Sequence, residues 1–378
     1  MTKKIAILTQ PLITNFGGTL QAFALQKLLT KKGYDVEIIN YQYHQISDVK
    51  KFLSIIKNRI LGKNKIYPFF EKELDLIRME HKRFIKIYMK CSKIIYSVND
   101  LKGYFKEKKF DAVVVGSDQV WRVAYSPRIE SFFLDFLDDN EKIKKVAYSA
   151  SFGIDNWQFN KEKTIEIQKL IHKFDAIAVR EVSAVGICNE FLNIEVQHTL
   201  DPTLLLEPRD YLELLSISDN VSCNKGKIFT YVLDNDNKKK EVIEKIAKKM
   251  NKDIFTNQPK NKVKNNLFIK NYESYIYPSI ENWIKSFHEA DFIITDSFHG
   301  TVFSIIFNKP FISIVNNERG ASRFESLLEQ LGLASRMVYE ISEISNNLLF
   351  EEIDYHLVNK KLSKLKMKSI KYLENSLI

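Results

Sequence analysis

The chain has 378 residues, of which 45% are hydrophobic and 28% are charged, and this composition is typical of a soluble globular protein. Because this length exceeds what one hydrophobic core usually supports, we expect two domains. The formal net charge of +10 comes from 57 basic and 47 acidic residues. These charges are spread along the chain, so they indicate a solvated lysine-rich surface and no nucleic-acid partner. No charge-free segment reaches the roughly 18 residues that a membrane span needs.

The sequence also indicates where the protein works. Its N-terminal stretch MTKKIAILTQ has too short an apolar run for a signal peptide and predicts a first strand. Three cysteines, Cys91, Cys188 and Cys223, lie far apart and lack the spacing of metal ligands, which is typical of packing residues in a reducing compartment. We therefore expect a cytoplasmic protein without a metal site.

The first half of the chain predicts alternating strands and helices. A strand at 4–9, a helix at 19–33 and a strand at 35–41 form a β-α-β unit. Residues 47–90 are basic and helix-patterned without a strand, so we expect a helical excursion from the sheet. The alternation then resumes, which predicts a Rossmann-like domain over residues 1–205. Its further strands are predicted at 110–118, 145–151, 175–180 and 196–202, and its further helices at 160–173 and 181–192.

A polar stretch at 216–227 precedes a second β-α pattern, so the domain boundary is predicted between about 203 and 227. Residues 206–352 are expected to form a second doubly wound α/β domain. Its strands are predicted at 227–233, 253–256, 267–270, 291–295 and 310–315, and its helices at 237–250, 280–290, 301–308 and 321–331.

The last segment, residues 353–378, carries apolar residues on one face and lysines opposite, which predicts an amphipathic closing helix. Such a helix can pack on the protein core or lie on an acidic membrane surface. The absence of Trp and Phe from its apolar stripe favours packing on the core. A peripheral contact with the inner face of the membrane remains the alternative.

Four short polar stretches each follow a predicted strand, at the edge where open α/β sheets bind their ligands. The first is NFGG at 15–18, which opens the first helix. Gly17 and Gly18 would let the backbone approach a ligand, and free amides at a helix N-terminus favour an anion or sugar hydroxyls. Asn15, Gly17 and Gly18 are therefore candidate ligand contacts, and the alternative is a plain tight turn.

The second stretch is VVVGSDQVW at 113–121. Asp118 at the end of the strand can bind a sugar hydroxyl or act as an acid or base. Alternatively, Ser117 or Asp118 caps a helix that begins at Gln119. Trp121 is a candidate face for a sugar ring, with packing in the core as the alternative.

The third stretch, AIAVRE at 176–181, places Arg180 just past a buried strand. Its guanidinium can hold a carboxylate or phosphate, or pair with a nearby acid such as Glu181. The fourth stretch is TDSFHG at 295–300, where His299 is predicted at a strand-to-helix turn. Its polar and glycine neighbours indicate an exposed turn. The helix dipole favours a neutral imidazole there, which suits a general base.

In this order, the polar stretches and their neighbours resemble the polysaccharide pyruvyl transferase family. The resemblance implies a GT-B-like α/β fold, in which two Rossmann-like domains face a cleft. It also implies a transferase that moves a pyruvyl group from phosphoenolpyruvate, a co-substrate, to a sugar of a surface polysaccharide or its lipid-linked precursor. The product would be a pyruvate ketal, formed without a cofactor. The blocks that carry the resemblance are NFGGTLQAFALQKLL, DAVVVGSDQVWR, SFGI, AVREVSAVGIC, LDPTLLL and TDSFHGTVFSIIFNKPFI, from residue 15 to about 312.

The resemblance also implies roles for single residues. His299 would be the acid/base, Asp118 its partner or an acceptor ligand, and Arg180 an anion clamp. Ketal-forming family members often carry an Arg two positions before the motif histidine, where this chain has Ser297. The donor anion would then be held by other groups near the cleft. The candidate donor-binding residues are Arg180, Ser297, Gly300, Arg319 and Arg323.

Two alternatives share the predicted architecture, because a fold does not fix a function. One is a GT-B-type glycosyltransferase, which would bind a nucleotide-sugar in the C-terminal domain. The other is a non-catalytic sugar-binding relative, which would tolerate the loss of His299.

Overall fold

The structure is a computed structural model. It describes residues 2–44, 47–60, 71–138, 142–217, 224–234, 237–261, 272–315, 320–340 and 343–378. Cys223, Arg319, the predicted strand at 267–270 and half of the polar stretch at 216–227 lie outside these residues. Within them, no helix combines the length and the apolar character that crossing a membrane requires.

The first half of the chain forms a parallel sheet. Its strands in the described residues are β1 (Lys4–Leu8), β2 (Asp35–Ile38), β3 (Ala112–Val115), β4 (Lys144–Ala150), β5 (Ala176–Val179) and β6 (Gln197–His198). They pair in the order β2-β1-β3-β4-β5-β6. In β1, Ile5 and Ile7 pack into one core cluster, whereas Ala6 and Leu8 pack into another. Both faces of the sheet are therefore buried, which explains the continuous apolar runs of its strands.

Helices cover this sheet and extend beyond it. They are α1 (Phe16–Lys31), α2 (Asp48–Ile60), α3 (Glu71–Ile77), α4 (Met79–Tyr88), α5 (Val98–Lys108), α6 (Lys161–Ile171), α7 (Val182–Leu192) and α8 (Pro208–Leu212). Asn15 caps α1, since its Oδ1 accepts a hydrogen bond from the Gly18 N–H at 3.1 Å. The described residues of the predicted excursion at 47–90 form α2, α3 and α4 and contain no strand.

The second half forms a separate parallel sheet. Its strands in the described residues are β7 (Ile228–Tyr231), β8 (Ile254–Phe255), β9 (Phe292–Thr295), β10 (Phe311–Ile314) and β11 (Met337–Val338). They pair in the order β11-β10-β9-β7-β8. The accompanying helices are α9 (Asn237–Met250), α10 (Ile280–Glu289), α11 (Phe298–Ile306), α12 (Ser322–Leu331) and α13 (Asn346–Phe350). Two parallel α/β domains confirm the predicted GT-B-like fold. The boundary predicted between about 203 and 227 falls in the stretch that separates β6 from β7.

The C-terminal helix α14 (Tyr355–Leu377) packs on the first domain. The Leu200 N–H donates a hydrogen bond to Ser369 Oγ at 3.0 Å, and the Tyr372 hydroxyl donates to the Ala147 carbonyl at 3.2 Å. Leu373 and Leu377 are buried. The prediction of a helix that closes back on the core is confirmed.

An aromatic contact joins the two domains beside the cleft. Phe16, the first residue of α1, stacks on Trp283 of α10, with the ring centroids 5.4 Å apart and the planes 6° from parallel. Offset stacking of this kind stabilises a contact beyond the apolar area that it buries. The contact fixes the N-terminal end of α1 against the second domain, next to the segment that carries His299.

Candidate active site

A narrow polar pocket lies between the two domains. The segments that follow β1 and β3 form one wall, and the segment that follows β9 and the start of α12 form the other. Its volume is about 80 Å³. Larger cavities of about 630 and 550 Å³ lie elsewhere and contain none of the predicted site residues. The residues that line the pocket are Asn15, Asp118, Gln119, Arg122, Tyr125, Leu233, Asp296, Ser297, Phe298, His299, Arg323 and Phe324.

His299 lies at the turn between β9 and α11, as the second residue of the helix. Ser297 caps this helix, because its Oγ accepts the Gly300 N–H at 3.4 Å. His299 is 6% exposed, so the expectation of an exposed turn is wrong. The reason is Gly17 of the facing domain, on which a Cβ atom would lie 2.1 Å from His299 Nδ1. Only a glycine lets α1 approach the imidazole this closely.

The carboxylate nearest to His299 belongs to Asp201, which follows β6. Its Oδ2 lies 3.5 Å from His299 Nε2, while its Oδ1 accepts hydrogen bonds from the Thr203 N–H and hydroxyl at 3.0 and 2.6 Å. Burial opposes ionisation of Asp201, but the adjacent His299 and Arg180 hold its pKa well below the usual range. Asp201 therefore stays ionised and takes the place beside His299 that was predicted for Asp118.

Arg180 is buried between two carboxylates. Its Nη2 lies 3.1 Å from Asp118 Oδ1, and its Nη1 lies 2.9 Å from Asp201 Oδ2. The guanidinium also lies over the Phe298 ring, 4.8 Å from the centroid. These contacts engage Nη1 and Nη2, whereas the buried Nε has no hydrogen-bond partner among the described residues. Because Arg180 does not line the pocket, it does not match the predicted anion clamp. It holds Asp118 and Asp201 in position.

Arg323, at the start of α12, is a predicted donor-binding residue that does line the pocket. Its Nε donates to the Gly320 carbonyl at 3.4 Å, and its guanidinium lies 5.7 Å from the Phe298 ring centroid. Burial and the neighbouring charge of Arg180 lower the pKa of Arg323 to about 10. The side chain is still protonated at neutral pH, and an anion in the pocket would stabilise its charge.

A second guanidinium in the pocket belongs to Arg122, which sequence reasoning missed. Its Nη1 donates to Gln119 Oε1 at 2.8 Å, and its guanidinium stacks over the Tyr125 ring at 4.4 Å from the centroid. Arg122 closes the block DAVVVGSDQVWR, so its position after a strand was the available signal. Arg122 and Arg323 belong to different domains and face the same pocket.

Asp118 lines the pocket as predicted, but Trp121 does not. No helix begins at Gln119, so the capping alternative for Asp118 is not observed. Trp121 is 1% exposed, and its ring stacks on Phe133 at a centroid distance of 5.4 Å. Its Nε1 donates to the Phe132 carbonyl at 3.2 Å. Trp121 is therefore a core residue, and its prediction as a sugar contact is wrong.

Of the four remaining candidate residues, two line the pocket and two do not. Asn15 and Ser297 line the pocket, whereas Gly18 and Gly300 do not. The Gly18 N–H is used by the cap of α1. A Cβ on Gly300 would lie 2.1 Å from Thr295 Oγ1, so this glycine allows the tight start of α11. Both glycines shape the walls of the pocket and are not among the residues that line it.

Asp296 is a further pocket residue that sequence reasoning did not identify. Its two carboxylate oxygens accept the N–H groups of Leu233 and Asp234 at 2.6 and 2.9 Å. Lys239 Nζ lies 3.1 Å from Oδ2. Asp296 thus fixes the loop after β7, and its charge is already paired.

The comparisons with known proteins agree with this architecture. The sequence matches the polysaccharide pyruvyl transferase family over residues 15–318, and no curated protein sequence matches the chain. The S. aureus protein MnaA, in a co-structure with UDP, is 14% identical with a TM-score of 0.53, over 100% of this chain and 98% of that chain. The UDP-GlcNAc 2-epimerase from Methanocaldococcus jannaschii is 15% identical with a TM-score of 0.50, over 96% of this chain and 92% of that chain. At these identities, the two structures show a shared fold alone.

The family match is of a different kind, because it is a match of sequence. It extends over most of the chain and includes the segments that carry Asn15, Asp118, Asp201 and His299. These segments are separated in sequence, yet Asn15, Asp118 and His299 line one pocket between the domains, and Asp201 lies beside His299. The chain belongs to the polysaccharide pyruvyl transferase family.

Proposed function

We propose that the protein transfers a pyruvyl group from phosphoenolpyruvate to a sugar of a surface polysaccharide or its lipid-linked precursor. The products are a pyruvate ketal and phosphate, and no cofactor takes part. One observation carries the proposal: the interdomain pocket joins the imidazole of His299 with the guanidinium groups of Arg122 and Arg323. A proton-transfer group and a cationic clamp are what this reaction needs.

The charges around the pocket favour an anionic donor. Two carboxylates line it, but Asp118 is paired with Arg180, and Asp296 is paired with Lys239. Phosphoenolpyruvate has a phosphate and a carboxylate, and each can accept hydrogen bonds from a planar guanidinium. Arg122 and Arg323 would hold these groups from opposite domains, and they would replace the arginine that the family often has at the position of Ser297.

The proposed reaction needs His299 as its only proton-transfer side chain. His299 protonates the methylene carbon of the enol, which becomes a methyl group, while an acceptor hydroxyl oxygen bonds to the neighbouring carbon. His299 recovers its proton from that hydroxyl. A second sugar hydroxyl then bonds to the same carbon, the carbon–oxygen bond to phosphate breaks, and the second hydroxyl proton leaves with the phosphate. Asp201 holds the ring orientation through these steps.

Ligand protection tests the donor. Phosphoenolpyruvate should raise the melting temperature of the full chain, and high salt should weaken this effect because the ligand is an anion held by arginines. Arg122→Gln and Arg323→Gln should each reduce the shift. If UDP-N-acetylglucosamine raised the melting temperature and phosphoenolpyruvate did not, the proposal would fail in favour of the glycosyltransferase alternative.

Turnover tests His299. With phosphoenolpyruvate and an acceptor glycan, His299→Asn should slow phosphate release by about 10²–10⁴-fold, because asparagine can form hydrogen bonds but cannot exchange a proton near neutral pH. His172→Asn is the matched control, since this histidine is exposed at the end of α6. A folded His299→Asn variant with a near-normal rate and pH profile would give His299 a structural role only.

We further propose that the protein works in the cytoplasm and meets a lipid-linked acceptor at the inner face of the membrane. This location needs a surface that contacts lipid. The closing helix α14 is not that surface, because its apolar face packs on the two domains.

A further inference from the structure

Helix α2 exposes an apolar stripe. Its sequence is DVKKFLSIIKNRI, and its apolar residues recur every three or four positions. At 3.6 residues per turn, five of its six apolar residues, all except Ile55, fall within about 100° of the helix circumference. Their exposed fractions range from 40% to 78%, although a helix of a globular protein usually buries such a face. The stripe consists of Val49, Phe52, Leu53, Ile56 and Ile60.

Lysines border this stripe. Lys50 and Lys57 are exposed and lie next to Leu53 on the helix circumference. On the far side of the helix, Lys51 Nζ pairs with Asp48 Oδ1 at 2.9 Å. A lysine beside an apolar face can lay its alkyl chain along that face and present its ammonium group to a phosphate. An apolar stripe with an aromatic residue and a basic border is the pattern of helices that lie on anionic membranes.

The chain places α2 near the interdomain pocket. Because β1, β2 and β3 are parallel, the segments that follow them leave the sheet at the same edge. In the segment between β2 and α2, the Tyr43 hydroxyl donates to the Tyr125 carbonyl at 2.6 Å, and Tyr125 lines the pocket. The helix therefore leaves the domain from the side on which an acceptor would enter.

A second copy of the chain fits this stripe less well. If two α2 helices paired antiparallel and face to face, Lys50 and Lys57 of both copies would lie on the same side of the interface, and like charges across an interface oppose association. An anionic lipid surface meets both features, because headgroup phosphates pair with the lysines and the acyl boundary accepts the apolar residues. We propose that α2 docks the protein on an anionic lipid surface through this stripe, with Lys50 and Lys57 on the headgroups.

Co-sedimentation of the full chain with vesicles tests the proposal. The protein should bind vesicles of phosphatidylcholine with phosphatidylglycerol more tightly than vesicles of phosphatidylcholine alone, and salt should weaken the binding. The double variant Phe52→Ser/Leu53→Ser should lose binding by at least about tenfold, since two large apolar side chains no longer enter the lipid. The single variants Phe350→Ser and Met367→Ser are matched controls on other exposed apolar residues and should bind normally.

The charge contribution has its own pair of variants. Lys50→Gln/Lys57→Gln should weaken binding to the phosphatidylglycerol vesicles and reduce its salt dependence. Lys240→Gln/Lys245→Gln removes two exposed lysines of α9 and should leave binding unchanged. Equal losses in both pairs would mean that net charge alone drives binding, and this result would overturn the role of α2.

Two further results would overturn the proposal. One is a protein that does not bind the phosphatidylglycerol vesicles. The other concerns self-association. If light scattering showed that the wild type is a dimer and that Phe52→Ser/Leu53→Ser is a monomer with unchanged vesicle binding, the stripe would be a dimer interface. The vesicle assay needs neither phosphoenolpyruvate nor an acceptor, so its outcome is separate from that of the proposed reaction.

Discussion

Gly17→Ala tests the contact between α1 and His299 most directly. A Cβ atom at this position would lie 2.1, 2.2 and 2.6 Å from Nδ1, Cγ and Cβ of His299. Carbon atoms in contact are normally about 3.5–4.0 Å apart, so the imidazole or the end of α1 must move by more than about 1 Å. The ring cannot rotate out of the clash, because its own Cβ is among the atoms that are too close.

This displacement predicts losses in both rate and stability. A misplacement of about 1 Å can cost about 10²-fold in rate, so we expect phosphate release to slow by at least about that factor. Overpacking of a buried site typically costs about 1–3 kcal/mol. The higher helix propensity of alanine returns about 0.5–1 kcal/mol. The free energy of unfolding should therefore fall by up to about 2.5 kcal/mol.

Gly103→Ala is the matched control. Gly103 also lies within a helix, α5, but nothing lies within 4 Å of its added Cβ. This variant should keep its activity and gain about 0.5–1 kcal/mol in the free energy of unfolding. Urea unfolding and phosphate release should be measured for both variants. If Gly17→Ala were as stable and as active as Gly103→Ala, the close approach of α1 to His299 would be refuted.

Two further predictions concern buried charges. Asp201→Asn should lower the free energy of unfolding by about 3 kcal/mol, because it removes one charged partner of the buried Arg180. The control Asp291→Asn breaks a partly exposed ion pair with Lys252 and should lower it by less than about 1 kcal/mol. Similar losses for the two variants in urea unfolding would contradict this prediction. Burial lowers the pKa of His81 from 6.5 to about 4. Between these pH values, His81 is largely protonated in the unfolded chain but neutral in the folded protein. The free energy of unfolding therefore falls as the pH falls. The wild type should lose roughly 3 kcal/mol more than His81→Phe from pH 6.5 to 4, and parallel stability curves for the two proteins would refute this.

The position of His299 could be predicted because its signals are local. The β-branched run before Thr295 indicates a strand that ends there, and the longer apolar run after Gly300 indicates a helix. A polar residue between these elements must lie at the carboxyl edge of the sheet. The same reasoning located Asp118 and Arg180. Each prediction needed only the residues on either side of the turn.

The partners of these residues could not be predicted, because pairing depends on segments that are distant in sequence. Arg180 is 62 positions from Asp118 and 21 from Asp201, and the order of the strands brings the three side chains together. An arginine after a strand has the same local pattern whether it faces a ligand or two carboxylates. Trp121 was misassigned for a similar reason, since an aromatic residue in a loop gives no sign of the core that covers it.

The sequence also could not predict which apolar helix face is exposed to solvent. The segments of α2 and α14 both have an amphipathic pattern with lysines, and a membrane surface is the predicted alternative for the C-terminal one. In the structure, α14 covers the first domain, whereas the apolar stripe of α2 faces solvent. Periodicity shows that a helix has an apolar face, but it does not show what lies against that face. The strand β11 has only two residues, too few for an alternating pattern, and no strand was predicted there. The equally short β8 lies within the strand predicted at 253–256.

The site is assembled from both domains, and this has a consequence for substrate access. Gly17 and Asp201 belong to the first domain and His299 to the second, so any motion that widens the cleft separates His299 from both residues. A pocket of about 80 Å³ is smaller than the roughly 300–1,000 Å³ typical of ligand sites, so under the proposed function we expect the cleft to widen when a sugar acceptor enters. Under the proposed function, His299 regains its contacts with Asp201 and Gly17 only when the domains close over the substrates. Water is then largely excluded when the imidazole transfers its proton.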